Sequence, residues 1–351
     1  MDRRRFLGGL GAAALALPAA HAVKAAPAAP SASAATATTA VRRGRLPRLT
    51  LAGPPSNVSY PLIRMVASGA LSGLADKVEF VSWRDPDRLR ALALQGGAEL
   101  VAMPVNVAAN LHSRGAALRL LDVSAWNMLR VVTRDPAAKT IEHLRGKELA
   151  MPFRGDMPDL LLTLIAAKAG LDPRRDLKLN YAATPIDAMQ LLLTRRVDHA
   201  LLAEPAVSMA LRLSGSFPVK VVAPTLHRGP DPQQDWGRAF GRAPRIPQAG
   251  IVVMGAALKD AALSEQLARA HSEAAAWCNA NAAACGRMVA DEITLLTANA
   301  VADSIAACPL RSTPAAVARE ELDFLFARMF ERSPGLIGGR MPSDAFYGGA
   351  A

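Results

Sequence analysis

The chain has 351 residues, of which 51% are hydrophobic and 20% charged, and its formal net charge is +11. That length and balance exclude a disordered or fibrous chain and leave room for two domains with sizeable cores. The arginines are spread along the chain without interleaved aromatic residues, which argues against a nucleic-acid-binding surface.

In chain order, the first 22 residues read as a twin-arginine export signal. Asp2-Arg-Arg-Arg-Phe-Leu7 precedes an apolar run, Leu10 to Leu17, and the small-residue site Ala20-His21-Ala22. The apolar run is shorter than the roughly 20 residues needed to span a bilayer. A periplasmic destination is therefore expected. Gly9-Leu-Gly11 imitates a dinucleotide loop but follows no strand and is set aside. Residues 23–47 are rich in Ala, Pro, Ser and Thr and read as a flexible linker with a solvated basic end.

Leu49 to Ala52 is expected as a strand, and Gly53-Pro-Pro-Ser-Asn57 as the loop after it. A helix then starts at Tyr60-Pro61. Ser56, Asn57 or Ser59 has the oxygen to cap it, and the same helix end, with its free N–H groups, suits an anion. Val78 to Trp83 is a second strand, Pro86 to Gln95 a helix, and Glu99 to Met103 a third strand. Pro104 to Ser113 forms a helix whose first turn carries Asn106, the strongest single binding candidate. Leu118 to Val123 is a strand, and Trp126 to Thr133 carries the chain into a second half. Trp126 either lines a cleft or fills the hinge.

In that second half Glu148 to Met151 is a strand. The loop Phe153-Arg154-Gly155-Asp156-Met157-Pro158 follows it and opens a long apolar helix to Ala169. Asp156 is placed to cap this helix, with proline in its first turn. Arg154 is the basic side chain expected at a cleft mouth, able to hold a sulfonate or carboxylate by a charge-assisted pair. Leu177 to Tyr181 is a strand.

Thr184 to Pro205 then forms a helix, a tight reversal at Arg195-Arg196, a buried strand His199 to Leu202 and an exposed Glu204-Pro205 turn. Ala206 to Leu213 is a helix and Val219 to Val222 a strand. Thr225 to Pro247 reads as an irregular flap. Gly250 to Met254 returns to the first half, and three helices, Ala261 to Ala284, Ala290 to Ala306 and Thr313 to Phe330, cover it. Residues 333–351 form a tail without periodicity.

Arg88 to Val105 has the same helix, reversal and strand as Thr184 to Pro205. Two like α/β units suggest two like lobes. Ligands of open α/β sheets sit beyond the carboxyl ends of the strands, so one shared cleft would lie between the Pro104-Asn106 turn and the Glu204-Pro205 turn.

The ordered set of pieces carries a resemblance. Gly53-Pro-Pro-Ser-Asn57 with Tyr60-Pro61, Trp83, Leu92 to Pro104, Leu144-Arg-Gly-Lys-Glu-Leu149, Ala169-Gly-Leu-Asp-Pro173 with Asp176, and Val197-Asp198 through Glu204-Pro205 follow one another over residues 48–330. In this order they resemble the periplasmic substrate-binding proteins of ABC importers, in the branch handling nitrate, sulfonates, taurine and thiamine-precursor pyrimidines. The resemblance implies the type II periplasmic-binding-protein fold, α/β, with two lobes joined by two crossover strands. Each lobe is then a mainly parallel sheet flanked by helices. Residues 48–130 and 248–332 would form one lobe and residues 131–247 the other. Where Arg195 stands, the family usually has glycine, so a left-handed arginine costing about 1 kcal/mol is expected there.

The function implied is capture of a small anionic or zwitterionic ligand and its delivery to membrane permease subunits. The chain is expected to be monomeric and to meet the membrane only through the permease. Candidate ligand-binding residues are Ser56, Asn57, Tyr60, Pro104, Asn106, Trp126, Arg154, Gly155, Asp156, Met157 and Glu204. Two other readings remain open at this stage: an enzyme on the same scaffold, and a ligand-sensing subunit for a membrane receptor. No His-Glu-x-x-His, Cys-x-x-Cys, Gly-x-Ser-x-Gly or Walker pattern occurs, and the six histidines are isolated, so no metal, cofactor or covalent chemistry is expected. Cys278 and Cys285 on one helix would stand about 10.5 Å apart, beyond the roughly 7 Å reach of a disulfide. A bridge from Cys308 to either remains open beside three buried thiols.

Overall fold

The computed structural model describes residues 45–222 and 225–349. The expected signal peptide and all but the last residues of the expected linker lie outside the described residues.

The first lobe begins with β1 (Leu46–Gly53), α1 (Tyr60–Ala67), β2 (Ala75–Ser82), α2 (Pro86–Gln95), β3 (Leu100–Pro104), α3 (Val105–Ser113) and β4 (Arg119–Ala125). The linker expected to run to residue 47 gives way to β1 at Leu46, because that residue already pairs with Ala75 of β2. Helix α2 starts on Asp85, whose carboxylate accepts the Arg88 N–H, and ends at Gly96 in the left-handed conformation.

The chain then enters the second lobe with β5 (Leu129–Thr133), β6 (Glu148–Pro152), α4 (Met157–Lys168), α5 (Pro173–Asp176) and β7 (Lys178–Ala182). It continues through α6 (Pro185–Leu193), β8 (His199–Ala203), α7 (Ala206–Ser214), α8 (Val219–Val222), β9 (His227–Arg228) and α9 (Pro232–Phe240). Two expectations fail here. Val219 to Val222 is a helical turn, since a four-residue stretch, Val-Lys-Val-Val, is too short for a period that separates strand from helix. The expected flap contains β9 and α9. Asp231 caps α9 through the Gln233 N–H, Gly241 ends it at φ +62°, and Trp236 is 1% exposed. Its indole packs on Phe240 and Phe324, with ring centroids 4.3 and 5.8 Å away.

Strand β10 (Ala249–Val253) returns the chain to the first lobe. It is followed by α10 (Gly255–Lys259), α11 (Ala261–Ala280), α12 (Ala282–Glu292), α13 (Ala298–Ala307), β11 (Thr313–Pro314) and α14 (Arg319–Arg332). The last of the three expected helices thus starts six residues later than its pattern suggests. The tail is not loose: short 3-10 turns at Pro334–Ile337 and Asp344–Tyr347 bury Ile337, Phe346 and Tyr347.

The first sheet has the order β11-β4-β10-β3-β1-β2 and the second β7-β6-β8-β5-β9. Within each, three strands run parallel, and the strands that cross between lobes, β10 and β5, are antiparallel to them. The two crossing segments are tied side by side. The Met128 N–H donates to Gln248 Oε1 at 2.7 Å, and the Gln248 N–H to the Ala125 carbonyl at 2.9 Å. Apolar packing continues from one lobe to the other. Leu160 of α4 shares a cluster with Leu322 and Phe326 of α14, and Met209 of α7 shares another with Ile305 of α13. A salt bridge between Arg212 and Asp303 flanks that second seam, with Nη2 to Oδ1 at 2.8 Å. At Arg195 the backbone is left-handed, φ +61°, as expected.

Candidate functional site

Pairing of the strands decides which loops meet. β1, β2 and β3 end at Gly53, Ser82 and Pro104, and β6, β7 and β8 at Pro152, Ala182 and Ala203. The antiparallel crossing strands begin at the same ends, since Ala249 pairs with Pro104 and Leu129 with Ala203. Residues at or just beyond the ends of all six of these strands line one cavity of about 300 Å³ between the lobes.

The first-lobe wall is the Pro54-Pro55-Ser56 loop with Val58, Trp83-Arg84, Met103-Pro104 and Gln248-Ala249. The loop is held tightly. Ser59 Oγ donates to the Pro54 carbonyl at 2.6 Å, and a Cβ on Gly53 would lie 2.2 Å from that Oγ, so a side chain at the end of β1 would displace this hydroxyl. Trp83 is fixed by its indole N–H, which donates to the Ala102 carbonyl at 3.2 Å. The second-lobe wall comprises Met128-Leu129, Phe153, Met157-Pro158, Thr184 to Asp187 and Ala203 to Ala206. Phe153 holds a left-handed backbone, φ +59°.

Glu204 is buried in this second wall, 2% exposed. Its Oε1 accepts from Arg228 Nη2 at 2.9 Å, and its Oε2 from the Ser208 N–H at 3.1 Å and the Ser208 hydroxyl at 2.8 Å. The carboxylate thus caps α7 while its charge is balanced from behind.

Of the eleven sequence-predicted residues, four line the cavity: Ser56, Pro104, Met157 and Glu204. Asn57 lies behind the loop and donates from Nδ2 to Cys308 Sγ at 3.4 Å. Tyr60 is fully buried and its hydroxyl meets Ser304 Oγ at 3.2 Å; burial pushes its phenol well up. Trp126 fills the hinge. Its indole donates to the Val123 carbonyl at 3.1 Å, and the Arg245 guanidinium lies 4.5 Å from its ring centroid.

Arg154 points away from the cavity, exposed, with its guanidinium 5.3 Å from the centre of the Tyr181 ring. The basic residue lining the cavity is Arg84. Asn106, Gly155 and Asp156 belong to a second hollow of about 400 Å³, with Arg90 and Arg114, on the other side of α3's first turn. Asp156 makes no side-chain cap on α4. It turns instead to Arg90 of the first lobe, 3.6 Å away.

Sequence reasoning missed Trp83, Arg84, Phe153 and Gln248 as lining residues. The first two directly follow a strand end, which is a usable signal; Gln248 is placed by strand pairing and left none. Neither His112 nor His199 reaches the cavity. His112 bonds Ser343 Oγ from Nε2 at 3.1 Å, and His199 Nδ1 meets Thr133 Oγ1 at 2.7 Å at the far end of β8. Among the described residues no histidine or cysteine lines the cavity.

Among solved structures, an ABC transporter protein from Parabacteroides distasonis superposes with a TM-score of 0.67 at 20% identity, covering 86% of this chain and 98% of that one. The chain has the periplasmic-binding-protein fold. Two others with this fold are the periplasmic aliphatic sulphonate binding protein of Escherichia coli and the alkanesulfonate-binding protein of Xanthomonas axonopodis pv. citri bound to MOPS. The former has a TM-score of 0.62 at 18% identity, covering 85% and 93%; the latter 0.63 at 17%, covering 87% and 99%. No protein-family model matches the sequence, and no curated protein does. Among the described residues no helix is long and apolar enough to cross a membrane, and no group of acidic, histidine and cysteine side chains is arranged to hold a metal.

Proposed function

We propose that this chain is the extracytoplasmic solute-binding protein of an ABC importer. It would hold one small organic molecule between its lobes and present it to the membrane permease as a monomer. Residues 1–22 would direct export by the twin-arginine route, and the linker after them would leave the two lobes free of the membrane. The single observation carrying this reading is the cavity, built from both lobes at the ends where open α/β sheets bind ligands. The folds of the sulphonate-binding proteins support it. Two side-by-side crossing segments are also the arrangement around which such lobes hinge.

The enzyme reading gains nothing from the site. Among the described residues its lining has no histidine or cysteine, and the buried Glu204 carboxylate is engaged on both oxygens.

The test is native mass spectrometry of the full chain after incubation with a small-molecule cell extract, followed by thermal unfolding with the molecule recovered. A one-to-one adduct is expected. A ligand at a hundred times its dissociation constant adds about 2.7 kcal/mol of stability. A protein that carries no adduct and shifts with no extract fraction is not a solute-binding protein.

A further inference from the structure

The chain after α13 returns to the first lobe twice. Thr313 and Pro314 pair with Val123 and Asp122 of β4, and the Ala315 N–H donates to the Leu121 carbonyl at 3.1 Å. Beyond α14 the tail is bonded along α3. Asn110 Nδ2 donates to the Gly335 carbonyl at 2.7 Å, and Ser113 Oγ to the Arg340 carbonyl at 3.3 Å. Gly338 lets the two backbones pass. Its φ is +83°, and a Cβ there would lie 2.7 Å from the Asn110 carbonyl oxygen. Helix α14 is therefore held on the first lobe at both of its ends.

Between those anchors α14 works on two fronts. Leu322, Leu325, Phe326 and Met329 recur at helical spacing and are fully buried. Phe326 stands 6.1 Å from the Phe346 ring of the tail, and Asp323 Oδ1 accepts from the Tyr347 hydroxyl at 2.5 Å. Glu320, Glu321 and Phe324 meet the second lobe instead. The Phe324 ring contacts Trp236 and Phe240 of α9 edge-on, at 5.8 and 5.7 Å between centroids. Arg242 Nη2 lies 2.7 Å from Glu320 Oε1 and 3.4 Å from Glu321 Oε2, and Arg245 Nε lies 3.5 Å from Glu321 Oε1.

This grip stands beside the hinge. Arg245 also lies over the ring of Trp126, and Gln248, which joins the two crossing segments, follows shortly after it in the chain. Lobes that meet through small polar interfaces move by default, whereas apolar contact between them resists motion. A wide bend at the crossing segments alone would draw α9 off α14. It would expose the Trp236 and Phe324 rings and part Glu321 from Arg242 and Arg245. The motion that keeps these contacts is a sliding of packed helices, which has a small amplitude.

We infer that α14 and the tail after it form a strap, anchored on the first lobe and gripping α9 of the second, that limits how far the cleft opens when no ligand is present. The free protein is held within a narrow range of cleft widths, and a ligand meets two walls already near their final spacing. The inference goes beyond the solute-binding reading, because the strap acts before any ligand is bound.

Pulsed electron paramagnetic resonance between two nitroxide labels tests this on the ligand-free full chain. Arg88→Cys on α2 and Arg154→Cys after β6 put the labels on opposite lobes at exposed positions, while the native cysteines are buried. One narrow distance distribution is expected. Phe324→Ala, and separately the size-conserving pair Glu320→Gln with Glu321→Gln, are expected to widen it and move it to longer distances by several ångström. Such a shift in either variant supports the strap, and the glutamine pair keeps the test decisive should the alanine variant not fold. A distribution already broad in the parent, or no shift in any variant that folds, overturns the inference. No ligand enters the measurement, so its failure leaves the native mass measurement to decide separately whether the chain binds a solute.

Discussion

Arg90 of α2 and Asp156 at the head of α4 face each other across the gap between the lobes, with Nη2 and Oδ2 3.6 Å apart. Burial raises the Asp156 carboxyl above its ordinary value; Arg90 opposes that shift and Asp87 adds to it. The pair is partly exposed, so its worth is at most about 1 kcal/mol. Asp156→Asn is expected to change global stability by less than that while loosening the closed form. Small-angle scattering should show a larger radius of gyration for the free variant, and an unchanged radius would remove the pair's role as a latch.

The Glu204–Arg228 pair predicts an asymmetry. Arg228→Met leaves a buried carboxylate without its partner and should cost roughly 1–3 kcal/mol. Glu204→Gln keeps an acceptor for Ser208 and should cost less. Urea midpoints of the two variants give the comparison; a costlier Glu204→Gln would contradict the charge-balance account.

Asp122 is buried beneath α11, with Oδ2 2.7 Å from His271 Nδ1 and 2.6 Å from Ser312 Oγ, and Oδ1 2.5 Å from Ser124 Oγ. Burial pushes its carboxyl up, but His271 and the two hydroxyls outweigh burial and hold it below its ordinary value. A depressed carboxyl contributes stability fully present above the unfolded value, about 3.9, and lost as pH falls through the lower folded value. Urea midpoints measured from pH 6 downward should therefore fall more steeply below about pH 4 in the wild type than in Asp122→Asn. Parallel curves would exclude Asp122 as a source of acid sensitivity.

Asp235 behaves oppositely. Burial raises its carboxyl to about 6 despite the adjoining Arg238. A raised carboxyl lets the folded chain hold its proton longer, so the cost of ionisation is absent below about pH 4 and complete above about pH 6. Asp235→Asn is expected to gain about 1–2 kcal/mol at pH 8 and close to nothing at pH 4. Equal effects at both values would show that packing, not charge, decides the position.

Cys278 and Cys285 are buried with their sulfur atoms 2.7 Å apart, contrary to the single-helix geometry expected for them. The helix breaks at Asn281, φ −129° and ψ 45°, which folds α12 back and brings the thiols together. Oxidised glutathione should join them by exchange, releasing two reduced glutathione molecules. Thiol titration of the denatured product should then find one thiol, that of Cys308, which burial and the charge of Glu204 push up to about 11. Three titratable thiols after prolonged treatment would show that the pair stays reduced.

Local signals read well wherever one short segment holds the whole cause. Helix α2 has both its ends written in sequence, an Asp85-Pro86 start and a Gly96 stop. The left-handed turn at Arg195, φ +61°, is implied by the resemblance, whose members usually carry glycine at that position. Helix α9 was written equally plainly by Asp231-Pro232 and Gly241, but the density of Pro, Gly and Arg around it masked a face that buries only one large ring.

Site residues fared differently. Asn57 and Tyr60 carry the residue types of a binding loop, and the tertiary structure spends both on the interior, against Cys308 and Ser304. Arg154 and Arg84 both follow strands at the right ends, yet only Arg84 lines the cavity.

The sequence by itself determined two α/β units, their strand ends and thus the rim on which a ligand site must form, because periodicity and capping act within about ten residues. Only the tertiary structure decided which rim side chains face inward, how Glu204 is neutralised and where Gln248 stands. Those depend on segments far apart in the chain being brought within hydrogen-bond distance, as Met128 and Gln248 are across 120 residues, and no local pattern encodes that meeting.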